Sequence, residues 1–284
     1  MSAPSLSRSV DGRRVSVARD ADAVARVLAA DPVAACMVAA RVADHGADPA
    51  ALGGELWTRA RVDESLCYAG ANLIPLRGGP ADLRAFADRA LSTPRRCSSV
   101  VGRAELVLPL WERLQQGWGP ARDIRRSQPL MSLRSRPHCV VDPAVRRVRV
   151  DELDAYLVAA VDMFIGEVGI DPRAGDGGRG YRRRVANLIA AGRAFARFER
   201  GRVVFKAEIG SQSPAVGQIQ GVWVHPEWRG HGLGTSGTAA IASAVLQTGR
   251  IASLYVNSYN TIARAAYARV GFCEVGTFAT VLLD

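Results

Sequence analysis

The residue types most suited to chemistry lie in a glycine-rich turn in the second half of the chain. A hydrophobic stretch runs into His225 and Pro226, and Arg229, Gly232 and Gly234 follow in the spacing Arg-x-x-Gly-x-Gly before a helical pattern begins. Glycine lets the backbone approach a ligand closely, and the free N–H groups at a helix start favour phosphate. The pattern indicates a turn that binds phosphate or pyrophosphate, with simple capping of a surface helix as the alternative.

Two features that the sequence lacks limit which class of anion such a turn would bind. The turn lacks the Lys-Ser/Thr ending of a P-loop, which argues against nucleoside triphosphate hydrolysis. A dinucleotide fold needs an acidic residue about 20 positions further on, whereas no Asp or Glu lies between Glu227 and Glu274. A polyanion with a phosphorylated ribose is favoured instead, because this segment carries Arg229, Arg250, Arg264 and Arg269.

A second motif joins a predicted strand to a helix near the end of the sequence. The strand ends at Asn257, and Asn260 suits the N-cap position of the helix. Tyr267 lies seven residues after Asn260, two turns along the same helix face, before Gly271 ends the helix and Phe272 begins a strand. Taken alone, this pattern favours a structural tyrosine that packs into the core from an amphipathic helix.

Together, the order and spacing of the two motifs resemble the GNAT superfamily of acetyl-CoA-dependent N-acyltransferases. The resemblance covers roughly residues 145–283. The phosphate loop of that family reads Arg/Gln-x-x-Gly-x-Gly/Ala, and its later strand–helix unit carries an Asn, a Tyr and a Gly-Phe end. These features are matched by Arg229, Gly232, Gly234, Asn260, Tyr267, Gly271 and Phe272.

The whole chain is also similar to tandem-domain bacterial GNAT proteins, in which the N-terminal copy is degenerate. This resemblance implies an α/β (α+β) fold with a mixed, mostly antiparallel central sheet and helices on both faces. It further implies two GNAT-like domains, a degenerate one over residues 1–133 and a catalytic one over residues 134–284.

The resemblance implies direct transfer of an acetyl or another short acyl group from acetyl-CoA to a primary amine in a ternary complex. The strand over residues 221–224 would splay from its neighbour at a bulge. Backbone groups near Val222 and Val224 would bind the pantetheine arm and polarise the thioester carbonyl, and amides from Gly230 to Thr235 would hold the pyrophosphate. Tyr267 would protonate the departing thiolate. The implied cofactor-binding residues are Val222, Trp223, Val224, Arg229, Gly230, His231, Gly232, Leu233, Gly234, Thr235, Asn257, Asn260 and Arg264.

The group that removes a proton from the incoming ammonium is less clearly marked. Family members often use a Glu on the central strands, and Glu208 is the only carboxylate inside the predicted central hairpin. An ordinary solvent-facing strand residue is the alternative interpretation of Glu208. Gln218 begins the next strand where some relatives carry the acid, and an amide cannot accept the proton. His225 and His231 are better interpreted as loop residues.

The first half departs further from the family pattern. The segment Arg77-Gly-Gly-Pro80 occupies the place of the phosphate loop without its spacing. This half is therefore expected to serve packing, acceptor recognition or regulation, and the glycine-rich loop over 171–180 of the other half is expected to be a mobile lid. When the two halves are aligned, Glu105 or Leu106 takes the place of Asn260. Glu112 or Arg113 takes the place of Tyr267.

Hydrophobic periodicity predicts the elements that must position these motifs. A strand, a helix and a Gly-aromatic pair recur in both halves, which favours internal duplication over two unrelated modules. The predicted helices cover 22–40, 81–91, 104–116, 152–168, 182–191, about 235–248 and 260–270. The predicted strands cover 54–61, 65–76, 97–102, 125–133, 145–150, 194–199, 203–209, 216–224, 253–256 and 273–283, with a linker at 134–138.

The 284 residues are 48% hydrophobic and 23% charged, a composition that excludes an intrinsically disordered chain. No stretch approaches the ~18 consecutive apolar residues of a membrane span, and the beginning of the sequence lacks the apolar core of a secretory signal. A cytoplasmic protein without a membrane partner is therefore expected. The five cysteines lie far apart without a C-x-x-C pair, which supports neither a disulfide framework nor a metal site.

The formal net charge of +10 comes almost entirely from arginine, because Lys206 is the only lysine. The arginines are scattered through an Ala- and Gly-rich chain without the motif of a nucleic-acid binder, so no nucleic-acid partner is expected. The resemblance implies an amine acceptor as the partner, either a small molecule or a protein amine. A CoA-binding sensor without turnover is the alternative function.

Overall fold

The computed structural model describes residues 14–174 and 176–284, and this part of the chain contains no helix with the length and apolar character needed to cross a bilayer. The helices are α1 (Ala21–Ala30), α2 (Cys36–His45), α3 (Pro49–Leu52), α4 (Pro80–Leu91), α5 (Ala104–Trp118), α6 (Leu153–Val168), α7 (Arg179–Ala190), α8 (Leu233–Leu246) and α9 (Thr261–Val270). The strands are β1 (Ser16–Val17), β2 (Gly54–Thr58), β3 (Leu66–Gly70), β4 (Leu73–Arg77), β5 (Ser99–Arg103), β6 (Asp123–Leu133), β7 (Arg146–Arg147), β8 (Ala194–Glu199), β9 (Arg202–Gln212), β10 (Val216–Val224), β11 (Ile251–Tyr255) and β12 (Cys273–Leu282).

The single helix predicted over 22–40 is in fact two helices, α1 and α2. Asp20 caps α1, because its carboxylate accepts a hydrogen bond from the Ala23 N–H at 2.9 Å. The helix ends before Asp31, since Pro32 disfavours helical backbone in the residue that precedes it and has no N–H to continue the helix. The prediction of one continuous helix was therefore wrong.

Two predicted strands also differ from the structure. The segment over 65–76 is the hairpin of β3 and β4, which is closed by a hydrogen bond from the Gly70 N–H to the Asn72 carbonyl at 3.0 Å. The strand predicted over 145–150 is reduced to the two residues of β7. The Glu152 carboxylate accepts the Arg149 N–H at 2.8 Å and starts a 3₁₀ turn there, so the strand cannot continue.

All of the described strands form one sheet in the order β1-β2-β3-β4-β5-β12-β6-β11-β10-β9-β8-β7. Neighbouring strands are antiparallel except in the β4–β5 and β10–β11 pairs, which are parallel. Helices cover both faces of the sheet. The expected α/β (α+β) fold with a mixed, mostly antiparallel sheet is confirmed.

The last strand of each half is exchanged into the other half. β12 pairs with β5 through residues 278–282, and β6 pairs with β11 through residues 130–133. The two exchanged strands pair with each other along most of their length at the centre of the sheet. The strand order is therefore symmetric, with β1 to β6 corresponding to β7 to β12. This symmetry favours the predicted duplication, while the domain boundary between residues 133 and 134 stays a prediction.

Side chains of β9 show how the helices of the second half divide between the two faces. Glu208 points toward α6, where the Tyr156 hydroxyl donates to its Oε1 at 3.3 Å. Phe205 points to the other face, where its ring lies against Gly237 of α8. Alternate strand residues face opposite sides of a sheet, so α6 and α7 cover one face and α8 and α9 cover the other. The first half is similar, with α1 and α2 in one hydrophobic cluster and α4 and α5 in another.

Candidate functional site

The parallel strands β10 and β11 separate shortly after they begin to pair. Residues 216–218 of β10 pair with residues 251–253 of β11, and beyond this point the partner of β10 is β9 alone. Residues Gly221 to Val224 of β10 are half-buried. One side of the β10 backbone is thus left without a strand partner among the described residues. Such an opening can accept an extended ligand that adds to the strand through backbone hydrogen bonds.

A β-bulge at Gly221 bends β10 where the strands separate. The register with β9 shifts between Gln220 and Trp223, so β10 carries one extra residue there. Gly221 has a φ of +58°, and a Cβ at this position would lie 3.2 Å from both Lys206 Nζ and Met163 Cε. Only glycine fits this backbone without strain. The bulge expected in this strand is confirmed.

The glycine-rich turn joins the free end of β10 to α8. After a 3₁₀ turn at Pro226–Trp228, Gly230 and Gly232 have φ values of +81° and +79°, and a Cβ on either would meet no heavy atom within 4 Å. Gly232 is the N-cap of α8 and has no side chain to accept the first-turn amides. Of the predicted donors, the Thr235 N–H already bonds to the Gly232 carbonyl at 3.0 Å. The N–H groups from Gly230 to Gly234 form no hydrogen bond with the described residues and are available to a phosphate.

Neighbouring side chains support this turn from the β10 side. Arg229 Nε donates to the Val224 carbonyl at 3.1 Å, which holds the guanidinium against the end of the strand. Leu233 is buried in the core, and Gly234 lies against the Val224 side chain. His231 is exposed in the turn, and His225 follows β10 outside any helix or strand, as expected for loop residues.

The second motif forms the start of α9, where Asn260 caps the helix as predicted. Asn260 Oδ1 accepts the Ala263 N–H at 3.1 Å, so the oxygen is occupied and the amide nitrogen has no partner among the described residues. Arg264 Nη1 donates to the Ser258 carbonyl at 3.2 Å. Asn257 follows β11 and accepts a hydrogen bond from Gln128 Nε2 of β6 at 2.9 Å. The exchanged strand therefore holds one residue of this motif in place.

Tyr267 lies two turns further along α9 and is only 8% exposed. Its ring packs edge-on against Phe272, with 6.2 Å between the ring centroids. None of the described residues forms a hydrogen bond with its hydroxyl group. Burial raises the pKa of Tyr267 well above its ordinary value, and the charge of Glu167 raises it further. The hydroxyl therefore keeps its proton at neutral pH and is free to donate it.

Glu208 is buried beneath the bulge and is fully engaged by its neighbours, so the alternative of a solvent-facing residue is wrong. Lys206 Nζ lies 2.7 Å from Glu208 Oε1, and Gln220 Nε2 donates to Oε2 at 3.4 Å. Burial opposes ionisation of Glu208, but the Lys206 charge prevails and lowers the pKa of the carboxyl. An ionised carboxylate that is already paired makes a weak base, and its role as general base stays a prediction.

Glu167 is a candidate residue that the sequence analysis missed. It lies in the last turn of α6, four residues after Met163, which approaches the bulge. The Glu167 side chain is accessible to solvent, yet the surrounding protein raises the pKa of its carboxyl, as in a cleft. Arg125 Nη2 of β6 donates to the Glu167 carbonyl at 2.9 Å and fixes the end of the helix.

The helical spacing of α6 could have revealed this glutamate. Tyr156, Ala160 and Met163 form a buried stripe at helical spacing, and Glu167 continues the same stripe. Glu167 itself is exposed, so this spacing marks its position on the helix and not a buried charge. The negative charge of Glu167 is one of the two causes that raise the pKa of Tyr267, although α6 and α9 cover opposite faces of the sheet.

The first half has the same strand separation but a closed site. β4 and β5 pair only between Leu73 and Val100. The neighbouring cavity measures only about 20 Å³, and the ion pair between Arg103 and Asp31, with Nε 2.6 Å from Oδ2, lies on its wall. The Gly79 N–H already bonds to Asp82 Oδ2 at 2.9 Å at the start of α4, so this turn presents fewer free amides.

The glycine-rich loop over 171–180 is tied to the start of α7. The Asp176 carboxylate accepts the N–H groups of Gly178 and Gly180 at 2.8 and 2.7 Å. Gly175 lies outside the described residues, and the expected lid movement stays a prediction. Across the described ranges, no group of three or more His, Cys, Asp or Glu side chains is placed to hold a metal ion.

Comparisons with known proteins agree with this geometry. Residues 206–281, which include the turn and Tyr267, match the family described as FR47-like protein. Residues 54–156 match a family described as a domain of unknown function, DUF4081. No curated protein sequence matches the chain significantly.

Several solved structures share the fold over most of the chain. A protein from Drosophila has 12% identity and a TM-score of 0.65, covering 96% of this chain and 99% of its own. A GNAT-family acetyltransferase from Colwellia psychrerythraea has 10% identity and a TM-score of 0.56, covering 95% and 100%. A GCN5-related N-acetyltransferase from Kribbella flavida has 15% identity and a TM-score of 0.52, covering 87% and 96%. The GNAT fold and the resemblance to the GNAT superfamily are confirmed.

Proposed function

We propose that the chain is an N-acetyltransferase that moves an acetyl group from acetyl-CoA to a primary amine by direct transfer in a ternary complex. The observation that carries the proposal is the opening between β10 and β11. The uncapped glycine turn of α8 follows β10 at one end of this opening, and Glu167 and Tyr267 belong to helices that cover opposite faces of the sheet. The FR47-like match and the acetyltransferases that share the fold support the same activity.

The residues around the opening fit acetyl-CoA, which would supply the acyl group as a thioester. The amides from Gly230 to Gly234 would hold the pyrophosphate, because they have no hydrogen-bond partner among the described residues and lie at the positive end of the helix dipole. The backbone edge of β10 at Val222 and Val224, which has no strand partner on the β11 side, would hold the pantetheine arm. Asn260, through its free amide nitrogen, and Arg264 would lie along the cofactor from the α9 side.

The reaction needs a base for the ammonium and an acid for the thiolate, and the chain has a residue for each. The Glu167 carboxylate takes a proton from the incoming ammonium, which leaves a nitrogen lone pair free to attack the thioester carbonyl. The Tyr267 hydroxyl donates its proton to the sulfur when the carbon–sulfur bond breaks. The nitrogen then gives its second proton to the Tyr267 oxygen, and the products are the acetylated amine, the free thiol and protonated Glu167. Glu208 is the alternative base, and its ion pair with Lys206 would have to break before its carboxylate could accept the proton.

A CoA-binding sensor without turnover is the second candidate, and one observation favours it. Gln218 is 3% exposed, its Nε2 has no hydrogen-bond partner among the described residues, and it cannot act as a base. Tyr267 argues against the sensor, since its buried hydroxyl has no hydrogen-bond partner among the described residues and keeps its proton at neutral pH. The enzyme is therefore the better supported of the two candidates.

Two measurements on the purified full chain test the proposal. Calorimetric titration with acetyl-CoA at low and high salt measures specific binding, and thiol release with a panel of amines measures transfer. We expect saturable binding and amine-dependent thiol release, with a mass increase of one acetyl group in one amine. Binding without thiol release from any amine would favour the sensor, and absence of binding would overturn both candidates.

A further inference from the structure

A cleft of about 370 Å³ opens beside α7, away from the glycine turn. Arg183, Arg184 and Asn187 line it from α7, Arg193 lines it from the start of β8, and Gly210 forms the β9 side. The cleft has the volume of a small-molecule site. Because α7 and α8 lie on opposite faces of the sheet, this cleft cannot be part of the pyrophosphate site.

The charge in this cleft is strongly positive. Arg183 and Arg193 form no side-chain hydrogen bond or ion pair with the described residues. Arg184 has one acidic neighbour, since its Nη2 lies 3.9 Å from Glu208 Oε2, but Glu208 is already paired with Lys206.

Asp176, the next acidic residue near the cleft, does not balance this positive charge. The Asp176 carboxylate is bound by the backbone amides of Gly178 and Gly180. Three arginines that line one cleft without a free counter-charge attract an anion.

The cleft is continuous with the residues around the bulge. The Gln220 side chain covers Gly210, where any Cβ would overlap it, and the same amide donates to Glu208. Arg184 reaches Glu208 from the cleft side. A ligand held by the arginines therefore lies on the α6 and α7 face of the sheet, the face from which Glu167 would receive the ammonium.

We propose that this cleft binds a carboxylate or phosphate group of the acceptor, so that the acetylated substrates are small anionic amines. The inference rests on the proposed function and adds the substrate class to it. Guanidinium groups bind both anions through paired N–H donors, which a neutral acceptor could not engage. An acceptor would thus place its amine near the opening and its anionic end among Arg183, Arg184 and Arg193.

Matched amines test this inference on the full chain. β-Alanine is compared with β-alaninamide for the carboxylate, and O-phosphoethanolamine with ethanolamine for the phosphate. We expect kcat/KM to be about 10-fold or more higher for the anionic member of at least one pair, as the gain of a charge-assisted pair predicts. The pair that shows the larger ratio identifies which of the two anions the cleft prefers.

Two variants and a matched control locate the effect. Arg183→Gln and Arg193→Gln should each raise KM for the preferred anionic amine about 10-fold and leave the neutral amine unchanged. Arg182→Gln is the control, because Arg182 lies on the same helix but pairs with Asp154 outside the cleft. It removes the same charge and should change neither substrate.

Direct binding separates failure of this inference from failure of the proposed function. If amines are acetylated without preference for anions, or if Arg182→Gln has the same effect as the cleft variants, the cleft inference is overturned and the transferase stands. If no amine is acetylated but calorimetry shows that the anionic probes bind and that Arg183→Gln and Arg193→Gln abolish this binding, the transferase is overturned. If no amine is acetylated and no anionic probe binds, both are overturned.

Discussion

The only lysine of the chain is buried beside the candidate site. Lys206 is fully buried, its ammonium lies 5.3 Å from the centre of the Tyr156 ring, and it pairs with Glu208. Every other basic side chain is an arginine or a histidine. A compact ammonium fits beneath the bulge at Gly221, where a planar guanidinium fork would need more space. The pair therefore supports the bend of β10, and it leaves Glu208 poorly suited to exchange protons.

Tyr267→Phe tests the proposed acid. Loss of the hydroxyl should lower kcat about 100-fold or more, as removal of a general acid does, while acetyl-CoA binds with little change. Thiol release and calorimetric titration measure the two quantities. The packing against Phe272 is preserved in this variant. A variant with unchanged kcat would remove Tyr267 from the mechanism.

Glu167→Gln and Glu208→Gln together identify the base. A carboxylate base acts when ionised, so kcat rises as the pH rises through its pKa. The surrounding protein raises the pKa of Glu167 above the ordinary value of a glutamate, which moves the acidic limb of the profile to higher pH.

We expect Glu167→Gln to lower kcat about 100-fold and to abolish this acidic limb. Glu208→Gln should keep the limb and instead destabilise the fold by about 3–5 kcal/mol, because it leaves Lys206 buried and unpaired. The pH–rate profile and the free energy of unfolding in denaturant distinguish the two. The opposite pattern would return the role of base to Glu208.

At the scale of elements, one strand, one turn and one helix form the donor site. β10 must bend at its bulge to leave β11, and the chain must then reverse through two left-handed glycines into α8. The turn depends on backbone conformation more than on side chains. Its free amides exist because Gly232, the N-cap residue, has no side chain to accept them.

Gly232→Val tests this turn, with Gly249→Val as its control. The two glycines have φ values of +79° and +75°, and neither has a heavy atom within 4 Å of a Cβ position. The free energy of unfolding of both variants should therefore fall by a similar amount, roughly 1–2 kcal/mol, because a side chain strains left-handed backbone. Calorimetry should show that Gly232→Val no longer binds acetyl-CoA measurably, whereas Gly249→Val binds it normally. Normal binding by Gly232→Val would show that the turn does not hold the pyrophosphate.

At the scale of the whole molecule, the strand exchange makes the two halves depend on each other. Both neighbours of β12 in the sheet, β5 and β6, belong to the first half, and β11 also pairs with β6. The first half contributes to the candidate site as well, since Arg125 binds the end of α6 and Gln128 binds Asn257. A degenerate first half can thus be retained because it completes the fold of the second.

Production of the halves separately tests this dependence. Residues 134–284 alone should fail to form a stable fold, because β12 would lose both of its strand neighbours and β11 would keep only one. Co-production with residues 1–133 should restore a soluble complex, and the full chain should unfold in a single transition. Circular dichroism during heating and gel filtration measure these outcomes. A cooperative transition and acetyl-CoA binding by residues 134–284 alone would contradict the expectation.

Local patterns in the sequence determined much of the candidate site. Three of its features depend only on neighbours a few residues away. They are the spacing of Arg229, Gly232 and Gly234, the N-cap at Asn260 and the helix that carries Tyr267. The backbone conformation of a turn or a cap is set by such neighbours, so these features could be predicted from one sequence. The bulge in β10 and the mostly antiparallel sheet followed from the resemblance to the family.

Only the tertiary structure decided which distant residues meet. Segments that lie far apart in the chain meet in the exchange of β6 and β12, in the burial of Glu208 against Tyr156, in the bond from Arg125 to the end of α6 and in the arginine-lined cleft. Strand pairing across halves leaves no local pattern, because each exchanged strand has the same alternation whichever neighbour it joins. The charge environment of a carboxylate is likewise a sum over such neighbours, so the sequence alone did not distinguish Glu167 from Glu208.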